Sequence, residues 1–102
     1  MRVPLFLGVA AVLAVAIAPA AQAQDSAVAR SLAATCSNCH GTEGRSVTKE
    51  VASLAGLSRA QIVSQMKAFK DGTRAATVMH QLAKGYTDPQ IEMLADYFAA
   101  KK

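Results

Sequence analysis

The run Cys36-Ser37-Asn38-Cys39-His40 constrains this chain more than any other feature. C-x-x-C-H is the attachment signature of c-type haem. Each thiol adds across one vinyl group of the porphyrin, and the imidazole that follows becomes an axial ligand of the iron. Two intervening residues let one helical turn carry both sulfurs to neighbouring edges of a planar ring, with His40 on the inner side of the turn. A chain built this way folds around a large flat apolar body. Three other uses compete for the same residues. A thioredoxin-like dithiol wants a βαβ setting, and no strand pattern flanks the motif. A structural zinc site asks for four ligands, where Cys36, Cys39 and His40 supply three and the other histidine is His80. The third is a plain short-loop disulfide.

The N-terminus reads as an export signal. Arg2 supplies a positive charge, an apolar stretch runs from Leu5 to Ile17, and small residues follow, with Ala21-Gln22-Ala23 as an A-x-A cleavage site. Thirteen apolar residues fall short of the ~20 that span a bilayer. Residues 1–23 are therefore expected to be a signal peptide, with Gln24 as the mature N-terminus and residues 24–102 as a single domain. No later segment could span a membrane. Haem of this type is attached outside the cytoplasm in bacteria, so a periplasmic location is expected. A core of 79 residues is marginal without a staple. Both cysteines are committed to the motif, so the haem is that staple. With Arg2 gone, ten Lys and Arg face seven Asp and Glu, a balance of +3. That balance can steer the protein toward acidic partners. The basic residues are spread along the chain without interleaved aromatics, which argues against nucleic-acid binding.

The spacing of apolar residues predicts an all-α fold. Asp25 or Ser26 caps a first helix reaching about Ala34 and running into the motif, with Val28 and Leu32 on one face. Gly41 to Gly44 is a turn, and a loop extends to Leu57. Ser58 and Gln61 form a capping box for a second helix with Ile62, Met66 and Phe69 on its stripe, stopped by Gly72. A shorter helix or turn covers roughly 75–83, closed by Gly85. Thr87 and Gln90 cap the last helix, with Pro89 in its first turn. Ile91, Leu94, Ala95 and Phe98 form its apolar stripe, and Lys101 and Lys102 sit at the negative end of its dipole.

The iron needs a second axial ligand. Met66, Met79, Met93, His80 and Lys84 are the candidates. Met66 shares the stripe of Ile62 and Phe69 and fits a core role, and Met93 is off the stripe of its helix. Met79 lies in a short irregular stretch about forty residues after the motif, enough for the chain to wrap round the ring. Met79 is the expected ligand, with His80 its rival. A soft neutral thioether favours ferrous iron, raises the potential and closes the sixth position to small ligands.

Cys36 to Gly44 (CSNCHGTEG), Ser53 to Leu57 (SLAGL) and Thr87 to Phe98 (TDPQIEMLADYF) resemble the class I cytochromes c, close to the bacterial c4-like and c553-like members. Phe69 to Gly72, Thr77 to Met79 and Ala83 to Tyr86 resemble, more narrowly, the cytochrome subunit of flavocytochrome c sulfide dehydrogenase. The likeness implies a small all-α fold around one covalently bound haem c, held by Cys36 and Cys39 with His40 and Met79 as axial ligands. It implies that the first and last helices cross with Tyr97 and Phe98 at the contact. Related chains commonly place proline two residues before L-A-G, where its carbonyl accepts the N–H of the bound imidazole; here that position is Ala52. The sulfide-dehydrogenase subunits often carry two haem domains, whereas one motif stands here.

These readings describe a periplasmic one-electron carrier rather than an enzyme. The expected partners are redox proteins, among them a sulfide-oxidising flavoprotein or a terminal oxidase. Lys67, Lys70, Arg74 and Lys84 either form a docking patch or stand as solvated helix faces. An enzyme or sensor with an open iron site, and a dithiol oxidoreductase without haem, are the rivals from other classes.

Overall fold

The Ser26 hydroxyl accepts the Ala29 N–H at 3.1 Å and starts α1, Ala27–His40. This computed structural model describes residues 26–101; the expected signal peptide and cleavage site, Gln24, Asp25 and Lys102 lie outside that range. Helix α1 does not stop near Ala34 but continues through the whole motif. The Ser37 hydroxyl donates back to the Ala33 carbonyl at 3.3 Å, so a residue that favours turns has its polar group satisfied inside the helix. Gly41, at φ 87°, ends it. The expected face is borne out at Leu32, which packs against the core, and not at Val28. Ala29 and Ala33 are buried, while Val28 is 59% exposed. The small side chains let α1 approach its neighbour closely.

A 3-10 turn over Thr42–Gly44 follows, and then a segment without regular structure to Ser58. Helix α2, Arg59–Asp71, opens on the predicted capping box: Gln61 N–H donates to the Ser58 hydroxyl at 3.1 Å and the Gln61 amide oxygen accepts the Ser58 N–H at 3.0 Å. Gly72, at φ 78°, closes it in the left-handed conformation. The helix expected over 75–83 is shorter: α3 is the single turn Met79–Leu82, continued by a 3-10 turn over Ala83–Gly85. Thr73 and Arg74 both donate their N–H to the Ala68 carbonyl, which turns the chain out of α2, and the β-branched pair Thr77-Val78 does not favour a helix start. Helix α4, Asp88–Ala99, carries the second capping box, Thr87 with Gln90, and Pro89 in its first turn.

Helix α4 packs on both α1 and α2. Ile91, Leu94, Ala95 and Phe98 are all buried, as the stripe predicted, and Tyr97 joins them. With Ala29, Ala33 and Ile62 they form the core. Tyr97 and Phe98 meet edge to face, centroids 5.1 Å apart. Arg59 spans the α2–α4 seam, with Nε 2.7 Å from Asp96 and Nη2 3.0 Å from Glu92. Lys101 stands just past the C-terminal end of α4 and has further partners there. Its Nζ lies 2.9 Å from Glu43 and 4.3 Å from the centre of the Tyr97 ring, so it tethers the turn after His40. Among the described residues there is no strand, and no helix is long and apolar enough to cross a membrane.

Candidate functional site

Helix α1 ends at His40, so Cys36, Cys39 and His40 occupy its last two turns. Cys36 is half-buried against the core and Cys39 is exposed; both thiols are free. Burial pushes the Cys36 thiol above its usual range. That is the reverse of what an attacking dithiol needs, and no strand flanks the motif. Among the described residues no three His, Cys, Asp or Glu side chains gather as a metal ion would require, so the geometry gives the zinc reading no support.

The segment after α1 positions the imidazole. Leu54 and Ala55 both donate their N–H to the Gly44 carbonyl, at 2.8 and 3.1 Å, and the Ser46 N–H donates to the Ser53 hydroxyl at 2.9 Å. These bonds fold the loop back under the helix end. They bring the Ala52 carbonyl 2.6 Å from His40 Nδ1. A carbonyl only accepts, so Nδ1 carries a proton, and in the neutral ring Nε2 keeps its lone pair for a metal. The contact expected at Ala52 therefore forms without proline.

Met79 opens α3 and is half-buried, apart from the core cluster. Met66 packs against that cluster, as a core residue would, and Met93 is half-buried on α4. His80, beside Met79, has a buried Nδ1 with no hydrogen-bond partner. An open hollow of about 400 Å³ lies between α1 and the α3 segment, lined by Ser31, Leu32, Thr35, Leu82, Gly85 and Tyr86. Leu82 and Val78 are about half exposed, at 50% and 49%. The residues fit a haem. Two free thiols sit on one helix end, an imidazole is held in the ligating tautomer, apolar side chains stand open beside Met79, and one buried polar atom awaits a partner.

The basic residues divide. Lys67, Arg74 and Lys84 are exposed. Lys70 donates to the Tyr86 carbonyl at 2.6 Å and lies 3.7 Å from Asp88, and the Arg74 guanidinium stacks 4.9 Å from the centre of the Phe69 ring. Lys70 is thus an internal clamp, not part of a free docking patch. Tyr86 was not singled out from the sequence as a site residue, yet its hydroxyl lies 2.7 Å from that of Thr35, immediately before Cys36. A lone tyrosine in a turn gives no periodic signal by which to find it.

No family model matches the chain. The cytochrome subunit of sulfide dehydrogenase of Chlorobaculum tepidum is 42% identical over 67 residues, which are 66% of this chain and 60% of that protein. Cytochrome c-554(548) of Halomonas halodenitrificans is 32% identical over 83 residues, covering 78% of this chain and 100% of that protein. A solved structure of Acidithiobacillus ferrooxidans cytochrome c4 superposes with a TM-score of 0.61 at 35% identity, over 64% of this chain and 37% of that one. The chain thus spans three fifths of the first relative and well under half of the solved one. A full-length match to a cytochrome c and a shared all-α fold agree with the motif: the chain belongs to the class I cytochromes c, among their c4-like and c553-like members.

Proposed function

We propose that this chain is a periplasmic one-electron carrier holding a single haem c, bound through Cys36 and Cys39 with His40 and Met79 as axial ligands. When bound, haem supplies a ferric/ferrous couple that moves one electron at a time without making or breaking substrate bonds. The carrying observation is the 2.6 Å contact of His40 Nδ1 with the Ala52 carbonyl, which leaves Nε2 as the ligating atom beside two free thiols. The chain's work would be to hold that imidazole in one tautomer and to present the Met79 thioether from the start of α3. Its partner contacts are small and transient, as redox encounters are.

The likeness to the Chlorobaculum subunit favours a sulfide-oxidising flavoprotein as electron donor; a free shuttle toward a terminal oxidase is the second reading. The exported protein, boiled in acidified acetone, is expected to keep its pigment, with one haem per chain in alkaline pyridine. Pigment that washes away ends the proposal. Co-purification with a flavoprotein from the native host separates the two partners.

A further inference from the structure

Tyr86 joins three parts of the molecule. Its carbonyl accepts the Lys70 ammonium of α2 at 2.6 Å. Its hydroxyl meets Thr35 of α1 at 2.7 Å. The Thr35 hydroxyl already donates to the Leu32 carbonyl at 3.0 Å, so its single proton is spent and Tyr86 is the donor of the shared bond. The Tyr86 N–H in turn donates to the Ala83 carbonyl at 3.2 Å, closing the turn that follows α3. The segment bearing Met79 thus has two fixed ends. At its start, Thr73 and Arg74 hang on the Ala68 carbonyl; at its finish, Tyr86 is tied to α2 and to the residue before Cys36. Between them α3 is one turn with no side-chain cap, too short to hold itself in place.

We propose that Lys70, Tyr86 and Thr35 form a latch that holds Met79 against the iron. They are positioning residues: none touches the metal, and together they fix the distance between the thioether-bearing loop and the thiol-bearing helix. This rests on the assignment of Met79 as axial ligand. The latch opposes loop opening, so weakening it raises the rate at which the Met79 sulfur leaves, while the closed state still predominates.

The test follows imidazole, a neutral ligand, entering the ferric haem protein. At high imidazole the rate levels off at the departure of Met79. Lys70→Met removes one bond of the latch and Tyr86→Phe another; each is expected to raise the limiting rate roughly three- to tenfold, the usual effect of one hydrogen bond. Both should keep the far-red sulfur-to-iron band at neutral pH. Arg59→Gln, which weakens the α2–α4 seam instead, should leave the limiting rate unchanged. Limiting rates within about twofold of the parent in both latch variants overturn the proposal, being less than a lost hydrogen bond gives. So does an equal rise in Arg59→Gln, which would mean general loosening. Should Lys70→Met fail to fold, Tyr86→Phe decides alone. Met79→Ala separates the two claims: a far-red band that survives it removes Met79 as ligand, and the latch with it.

Discussion

The Glu43 carboxylate meets the Lys101 ammonium at 2.9 Å and accepts the Tyr97 hydroxyl at 3.1 Å, so the turn leaving His40 is tied to the far end of α4. The hydrogen bond from Lys101 is the main reason the Glu43 carboxyl titrates below its ordinary 4.5, with the Tyr97 hydroxyl, the Lys101 charge and the Arg30 charge adding to it against partial desolvation. A group depressed in the folded state contributes stability that is complete above its unfolded pKa and is lost as pH falls through the folded one. Glu43→Gln is therefore expected to lower the melting temperature at pH 7. The gap to the parent should shrink once pH falls below 4.5. A gap that is constant down to pH 3 would show that the charge is not involved.

Gly44 sits at φ 76°, and a Cβ there would lie 2.7 Å from Phe98 Cδ1 and 3.0 Å from the Ala55 nitrogen. Gly44→Ala combines a left-handed backbone with overpacking against a ring only 1% exposed. The expected cost is about 2–4 kcal/mol, read from denaturant unfolding. A loss under about 0.5 kcal/mol, typical of free surface positions, would mean that the α4 end is not seated on this turn.

Ala52 is exposed in the loop beneath His40. Proline there keeps the accepting carbonyl and restricts the unfolded chain. Ala52→Pro should stabilise the haem protein by ~0.4–1 kcal/mol, with the potential nearly unchanged. A marked fall in melting temperature would refute this.

Electron transfer to an acidic partner should slow as salt rises. Of the four cations on and beyond α2, Arg74 is exposed but stacked on Phe69, and Lys67 and Lys84 stand exposed on either side of it in sequence. Replacing both with glutamine should flatten the salt dependence of the association rate. Parent-like dependence in the double variant would move the docking surface elsewhere.

Met79→Ala is expected to lower the reduction potential and let carbon monoxide bind the reduced protein readily, because the sixth position is then open. Voltammetry and the ferrous spectrum check both. An unchanged potential would point to another ligand, His80 first.

The parts of the fold legible in the sequence are the local ones. Ser58 with Gln61 and Thr87 with Gln90 are three residues apart, so their reciprocal bonds follow from spacing alone. The α4 stripe was equally plain. The face of α1 was legible only in part, because Val28/Leu32 and Ala29/Ala33 share one spacing, and packing keeps both alanines and Leu32 while leaving Val28 exposed. At the site, the motif and the Ala52 contact could be anticipated from resemblance. The role of Lys70 could not: its partner Tyr86 is sixteen residues away across a loop, and a lysine on a helix looks the same in sequence whether it faces water or a carbonyl. Glu43 and Tyr97 meet across a separation of 54, beyond any local pattern.

The glycine that ends α1 has a consequence for how this chain can drift. At Gly41 a Cβ would fall 1.9 Å from the Arg45 carbonyl oxygen and 2.5 Å from its carbon, both of them main chain. No rotamer change relieves such a collision, and the φ of 87° is unfavourable to every other residue type. The corner that carries the chain away from the histidine therefore admits glycine alone, and a side chain there could be absorbed only by moving the main chain itself.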